Sequence, residues 1–544
     1  MDFDPPPQTP QTLPAQDSNP LLELPLQSSR KAFLCALARG PVVLTAPTGS
    51  GKSTLVPIWC AAVQNDNPQA GRTLVVEPRR VACRALYRFV DAHKTHPTQS
   101  VGYTVRHEHG GPANARIRYV TPGVALRMIA EAEAGLAAFD TIIVDEFHER
   151  GMENDLVLAL LKEQRGEKNL VVMSATIDLE RLAQWLGASQ IQGRGRQYPV
   201  ETTYTGGPHV PSTRNLDERV IGGVRQALTR SARGDVLVFL PGKAEIAQCK
   251  RALRSCLAAD FAIDLLALHG GLPAHEQDRA FGHARKRRVI LATNVAESSV
   301  TLPGVRVVVD SGLEKRTTYR NARSILSLLP ISAESAVQRA GRAGRLGPGH
   351  AIRLWDAKGV LRPATPPEIL REDLDPLLLQ TAALGRTVTD LDFLDPPDAK
   401  AVAAAEQRLH GMGLLTDTGN LTATGARAAR LPLDPLFANL VVAAQQRSKP
   451  ALLADVVDLV ATLSVAGPLF ARRPRPDDTA PASDSAAELP TCDGVARIQA
   501  LRGIGPCAKL AQAKRLAEAR RIAAQLRARL GMPNSRPTAP QAGR

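Results

Sequence analysis

Between Leu21 and Val200 short β-branched runs alternate with helix-like stretches, and each run ends in a polar loop. VVLTA (42–46), TLVVEP (73–78), TIIVDE (141–146) and LVVMSA (170–175) are the clearest of them. This alternation predicts a parallel sheet with crossover helices. In such sheets ligands bind beyond the carboxyl ends of the strands. Thr48, Arg79, Glu146 and Ser174 stand at or near those ends. After a loop rich in Gly, Pro, Ser and Thr near 204–214 the pattern restarts with GDVLVFLPG (234–242), RRVILATN (287–294) and VRVVVDSG (305–312). These runs predict a second α/β domain without a phosphate loop of its own. Two such domains side by side form a cleft.

Beyond Pro366 strand patterns fade, and Leu370, Leu374, Leu377, Leu378 and Leu384 fall near one face at helical spacing. The apolar stretch 451–471 contains Asp455 and Asp458, which makes it a buried helix rather than a membrane span. Residues 471–490, rich in Pro, Asp, Ser and Ala, read as a flexible loop. A last helix is expected over 508–530, with Leu510, Leu516, Ile522, Leu526 and Leu530 near one stripe amid seven Lys or Arg. No internal repeat suggests a solenoid.

Two motifs carry the chemistry. APTGSGKST (46–54) follows an apolar run, the setting a phosphate-binding loop requires. Thr48, Gly49, Ser50, Gly51 and Thr54 shape the loop, with backbone N–H groups turned toward phosphate oxygens. Lys52 is placed to neutralise the β- and γ-phosphates of ATP, and Ser53 to ligate Mg²⁺. DEFHER (145–150) sets two carboxylates at the end of a buried strand. Asp145 is the Mg²⁺ holder, and Glu146 the base that orients and deprotonates water. His148 either links the nucleotide to the second domain or packs at the interface. Ser174 and Thr176 of the tripeptide SAT are coupling candidates at the same strand edge.

In QRAGRAGR (338–345), Arg342 and Arg345 lie three apart on one helical face, ready to reach a γ-phosphate. Gln338 shares that face and is the candidate for positioning the lytic water. In TNVAESSVT (293–301), Thr293 and Asn294 are candidates for a sugar-phosphate backbone and Ser299 for sensing the γ-phosphate. Arg79, Arg80, Arg106 and Thr121 are their counterparts in the first domain.

Composition adds a partner class. There are 68 Lys and Arg against 53 Asp and Glu, a formal charge of +15 that favours a polyanion. Residues 491–544 alone hold eleven Lys or Arg against two acids. Seven cysteines without a CxxC pair fit reduced thiols. The N-terminus lacks the basic and apolar regions of a secretory signal, so a cytoplasmic protein is expected.

In order along the chain, APTGSGKST, EPRRVACR (77–84), VGYTVRHE (101–108), TPG (121–123), DEFHER, SAT, VFLPG (238–242), TNVAESSVT and QRAGRAGR resemble the DEAH-box (DEAH/RHA) helicases of superfamily 2. Phe147, where most of that family has Ala, points to the bacterial HrpB type. The resemblance implies an α/β fold of two tandem RecA-like domains, followed by winged-helix and helical ratchet-like domains. It implies a strand-separating β-hairpin within 310–336, and ATP and Mg²⁺ as cofactors. It also implies a single-stranded nucleic acid partner, RNA rather than DNA, and movement 3′ to 5′. The long C-terminal extension of HrpB-type proteins is not among these 544 residues.

The domains expected are a disordered segment 1–20, RecA-like domains at 21–203 and 204–362, and a winged-helix-like domain at 363–435. A ratchet-like domain at 436–535, with its loop 471–490, and a disordered tail 536–544 complete the chain. ATP-dependent RNA helicase or translocase is the leading functional reading. Two others stay open: an ATPase that remodels ribonucleoprotein or DNA without processive unwinding, and a non-catalytic nucleic-acid-binding scaffold.

Overall fold

The computed structural model describes residues 21 and 24–533 except 48, 63–70, 95–99, 107, 132–134, 165, 176–177, 194, 196–197, 232, 258–262, 283, 298–301, 321–322, 466 and 471–491. The expected segments 1–20, 471–490 and 536–544, and the site candidates Thr48, Thr176 and Ser299, lie outside the described residues. The chain forms two compact units. One runs through Arg316 and includes Ser327–Glu368, and the other comprises Thr317–Leu326 and the chain from Ile369 onward.

Within the first unit, one sheet is built from β1 (Val42–Thr45), β2 (Thr73–Val76), β3 (Val101–Val105), β4 (Glu108–Gly110), β5 (Ile117–Val120), β6 (Thr141–Val144), β7 (Asn169–Ser174) and β8 (Ser189–Gln192). Their spatial order is β4-β3-β5-β2-β6-β7-β1-β8, and only the β3–β4 pairing is antiparallel. β2 and β6 are buried along their whole length because helices cover both faces, which is why they read as continuous apolar runs rather than alternating ones. Phe33, Leu55, Trp59, Tyr119, Ile143 and Met173 belong to the core beneath them.

The second sheet comprises β9 (Val200–Tyr204), β10 (Asp235–Phe239), β11 (Ile263–Leu268), β12 (Arg287–Ala292), β13 (Val305–Asp310) and, after a hairpin, Gly349–Arg353. The hairpin strands are β14 (Leu313–Arg320) and β15 (Arg323–Pro330), which makes Gly349–Arg353 β16. The order β11-β12-β10-β13-β16-β9 is parallel throughout. The expected 203/204 boundary falls inside β9, which pairs with β16 and so belongs to the second sheet.

Besides its part of the hairpin, the other unit is helical among its described residues, with isolated antiparallel bridges such as that between Leu415 and Leu421. The helix Pro450–Leu463 takes the expected apolar stretch inward, and its two aspartates explain themselves there. Asp458 is fully buried and accepts from Arg502 Nε at 2.8 Å and from Arg527, while Asp455 accepts from Arg502 Nη2 at 2.6 Å. Two helix expectations need correction. Leu370 is half exposed on a short turn outside the helix Asp375–Ala383, whose first turn carries Pro376. The segment 508–530 is broken at Ala511, whose extended backbone bridges Phe470, while Gln512 N donates to Leu469 O at 2.9 Å. The continuous helix runs only over Ala513–Arg529. Among the described residues no helix is long and apolar enough to cross a membrane.

Candidate functional site

The phosphate loop leaves β1 and enters the helix Lys52–Ala62. Gly49 (φ +85°) and Gly51 (φ +99°) occupy the left-handed region open to glycine, and a Cβ on Gly51 would come within 2.8 Å of Leu24 Cδ1. Lys52 is buried and donates to the carbonyls of Ala46 and, at 3.4 Å, Pro47. Burial lowers its pKa, Glu146 and Asp145 oppose the shift, and Arg345 and Arg342 add to it. Thr54 Oγ1 donates to Gly51 O at 3.0 Å, and Ser50 is buried. Proline in this helix has a consequence for Ser53. Pro57 has no N–H, so the carbonyl four residues earlier, that of Ser53, loses its intrahelical partner. The Tyr119 hydroxyl, on β5, donates to that carbonyl at 2.8 Å and fixes the turn carrying Ser53.

Beyond β6, Asp145 is fully buried and its Oδ1 accepts from Glu146 N at 2.8 Å. Burial first, and then the charge of Glu146, push its pKa up to about 7 against the Ser53 hydroxyl and Lys52. Oδ2 is buried without a hydrogen bond of good geometry among the described residues. Glu146 (φ 48°, ψ 39°) and Arg150 (φ 46°, ψ 42°) are left-handed residues bracketing the turn Phe147–Glu149. Each such conformation costs about 1–2 kcal/mol for a non-glycine residue. Burial of Phe147 offsets that cost, as do the Arg150 guanidinium over its ring at 5.1 Å and the Arg150–Asp155 ion pair at 2.9 Å. His148 Nδ1 accepts from Ala175 N at 3.4 Å and lies 3.4 Å from Glu146 Oε2. The link from the SAT segment to the acidic motif thus runs through the Ala175 backbone and His148. The buried hydroxyl of Ser174 has no partner among the described residues.

The second domain brings its arginines to this loop. Ser332 caps the helix Ala333–Gly341, accepting from Ser335 N at 3.1 Å, and the chain tightens into the turn Arg342–Gly344. A Cβ on Gly49 would stand 3.3 Å from Arg345 Nε, so the Arg345 side chain lies against the phosphate loop of the other domain. Burial lowers the Arg345 pKa to about 10, with Glu146 opposing. Burial and then Arg345 lower that of Arg342, with Glu146 and Glu297 opposing. Three cations, Lys52, Arg342 and Arg345, thus converge on two carboxylates, one of them near its titration point at neutral pH. The surplus of positive charge suits a polyphosphate. Gln338 is half-buried on the helix Ala333–Gly341, which ends before Arg342 and Arg345, so the three do not share the single helical face their spacing predicts.

The remaining candidates divide. Arg80 and Arg106 are exposed and joined through Arg80 Nη2 to Arg106 O at 3.1 Å. Thr121 precedes the helix Pro122–Ala130 at the end of β5, and Thr293 precedes the turn Asn294–Ala296 at the end of β12. Asn294 is exposed. Arg79 is tied down: it pairs with Glu149 at 2.9 Å and donates to the Asn294 carbonyl, bridging the domains. Arg84 extends the contact through Gln277 Oε1 at 2.7 Å.

Two residues that sequence reasoning missed organise the arginine motif. Arg339 is almost fully buried, pairs with Glu297 at 2.8 Å and Asp310 at 3.1 Å, and lies over the Phe239 ring at 4.9 Å. Glu297 also accepts from Ser335 Oγ, and its carbonyl accepts from Arg342. The available signal was the single acid in TNVAESSVT and an arginine on the inward face of its helix, since a buried guanidinium requires a carboxylate.

Two RecA-like domains, one carrying a phosphate loop and the other bringing arginines to it, give the tandem α/β architecture of helicase cores. Residues 27–185 match the DEAD/DEAH box helicase family and residues 220–347 the helicase conserved C-terminal domain, so the chain carries the DEAD/DEAH box helicase core. It is 35% identical over 451 residues to the ATP-dependent RNA helicase HrpB of Escherichia coli (strain K12), covering 80% of this chain and 54% of that protein. It is 34% identical over 481 residues to HrpA of the same organism, also named an ATP-dependent RNA helicase, covering 85% and 36%. The crystal structure of the E. coli DEAH/RHA helicase HrpB superposes with a TM-score of 0.72 at 33% identity, over 81% of this chain and 56% of that one. A structure of the E. coli DExH-box NTPase HrpB gives 0.69 at 30% identity, over 94% and 59%. The chain thus spans about half the length of the HrpB protein it matches.

Proposed function

We propose that the chain is an ATP-dependent helicase or translocase acting on single-stranded RNA. The observation that carries this reading is Arg345 of the second domain lying against Gly49 of the first, with Arg342, Lys52 and Glu146 close enough to shift one another's protonation. Hydrolysis then requires both domains together, which is how a motor couples chemistry to domain movement. Lys52, Ser50, Thr54 and the glycine turn hold the phosphates. Glu146 orients and deprotonates water, helped by Gln338, and Arg342 and Arg345 offset charge on the γ-phosphate. The buried Asp145 carboxylate beside the Ser53 hydroxyl fits a hard cation with oxygen ligands. Mg²⁺ bound there supplies charge neutralisation at the phosphates. Arg80, Arg106, Thr121, Thr293 and Asn294 contact the strand backbone, and Arg79 joins the domains.

The test is turnover of Arg345→Ala with matched single-stranded RNA and DNA. A loss of roughly 10³-fold in stimulated turnover is expected, with nucleotide affinity little changed. Intact stimulated turnover in the variant refutes the composite site, and stimulation by DNA alone refutes the choice of RNA.

A further inference from the structure

At the entry ends of the second sheet's strands, opposite the end facing the nucleotide loop, lies a cavity of about 310 Å³. It is lined by Arg233, Arg285, Lys286, Arg287 and Arg288, with Asp235 the one acid. These residues come from the segments leading into β10 and β12, and Pro303 and Gly304, ahead of β13, close the wall. β12 has six residues. At about 3.3 Å per residue, it separates the cavity from Thr293 by roughly 20 Å.

The floor is rigid. Arg288 pairs with Asp235 at 2.6 Å and donates to the carbonyls of Ala280 at 3.2 Å, Gly282 at 2.7 Å and Pro303 at 2.7 Å. Arg287 donates to Gly234 O at 2.7 Å and Leu228 O at 3.3 Å. Gly234 (φ +90°) has to be glycine, because a Cβ there would lie 2.2 Å from Cγ of Arg306, another cation beside the rim. Asp235 is committed to Arg288, and Arg233 and Arg285 are exposed with no carboxylate partner among the described residues. Gathering like charges in a concavity raises its potential, and a bound anion relieves the repulsion. Among the described lining residues none is aromatic and five are cationic, so this lining favours phosphate over a stacked base.

We infer that this cavity is an accessory site for the phosphodiester backbone of the nucleic acid, engaged by strand extending beyond the main contacts. The inference rests on the proposed action on RNA. A free polyphosphate shares the same chemistry, and the experiment separates the two.

The full chain is titrated by fluorescence anisotropy across a salt series with two RNA strands, one of about 8 nucleotides, near a single footprint, and one of about 30. In Arg233→Gln/Arg285→Gln, the salt slope for the long strand should fall in magnitude by about 1.4, two contacts at roughly 0.7 each. Short-strand affinity and basal ATPase should not change, and Arg233→Lys/Arg285→Lys should restore the slope. An unchanged long-strand slope with normal short-strand binding overturns this site and leaves the proposed function standing. Equal weakening of both strands assigns the two arginines to the main path and likewise overturns it. Calorimetric binding of tripolyphosphate that the Gln variant loses, with the long-strand slope unchanged, means that the cavity takes free polyphosphate instead. Failure of the wild-type chain to bind either strand overturns the RNA reading, and this inference with it.

Discussion

Asp145→Asn exposes a conflict between function and stability at the centre of the site. The carboxylate is fully buried, and its pKa rises from 3.8 to about 7 through burial and the adjacent Glu146. A raised carboxyl pKa means that the folded state holds a proton that the unfolded chain releases, so stability falls as pH climbs from about 4 to about 7. Three pKa units at 1.36 kcal/mol each set a ceiling of about 4 kcal/mol. Part of that shift is repulsion shared with Glu146, which titrates together with Asp145, so about 2 kcal/mol is the working magnitude. The amide oxygen still accepts from Glu146 N, so the variant keeps the local bond and sheds the charge. For a domain of 150–250 residues, about 2 kcal/mol raises Tm by roughly 4–8 °C. Thermal unfolding with EDTA and no nucleotide, at about pH 7.5 and about pH 4, measures this. The variant should melt higher at the upper pH, converge with the wild-type chain at the lower, and have lost turnover. Equal or lower melting of the variant at the upper pH refutes the buried-charge argument.

Glu146→Gln should bind nucleotide and lose on the order of 10²-fold or more in turnover, and near-normal single-turnover hydrolysis removes Glu146 from the base role. Arg339→Ala leaves Glu297 and Asp310 buried without their cation and should cost about 3–5 kcal/mol in denaturant unfolding; a loss under 1 kcal/mol contradicts the organising role of that cluster. Tyr119→Phe removes the donor to Ser53 O, so about 1–3 kcal/mol of stability should be lost. The divalent-cation concentration for half-maximal ATPase should rise, and an unchanged cation requirement shows that Ser53 holds its place without Tyr119.

Much of the molecule was legible along the chain because its signals are local. Buried parallel strands declare themselves as apolar runs, and the phosphate loop and acidic pair follow such runs directly, so Gly49, Lys52, Asp145 and Glu146 needed no partner to be recognised. Arg342 and Arg345 were legible as a spacing, but only the meeting of two sheets puts Arg345 against Gly49. Long-range pairing decided the rest. Arg79 looked like an exposed strand contact, yet Glu149 and Asn294, far apart in sequence, claim its guanidinium. Arg339 and Glu297 each looked like one more polar residue, and burial made them a pair. Only the fold sets the Tyr119 hydroxyl against the Ser53 carbonyl that Pro57 orphans. Of the eleven Lys or Arg in 491–544, Arg502 and Arg527 turn inward to Asp455 and Asp458. Composition counts charges, whereas a charge acts on solvent or on a buried carboxylate according to which surface the packing covers.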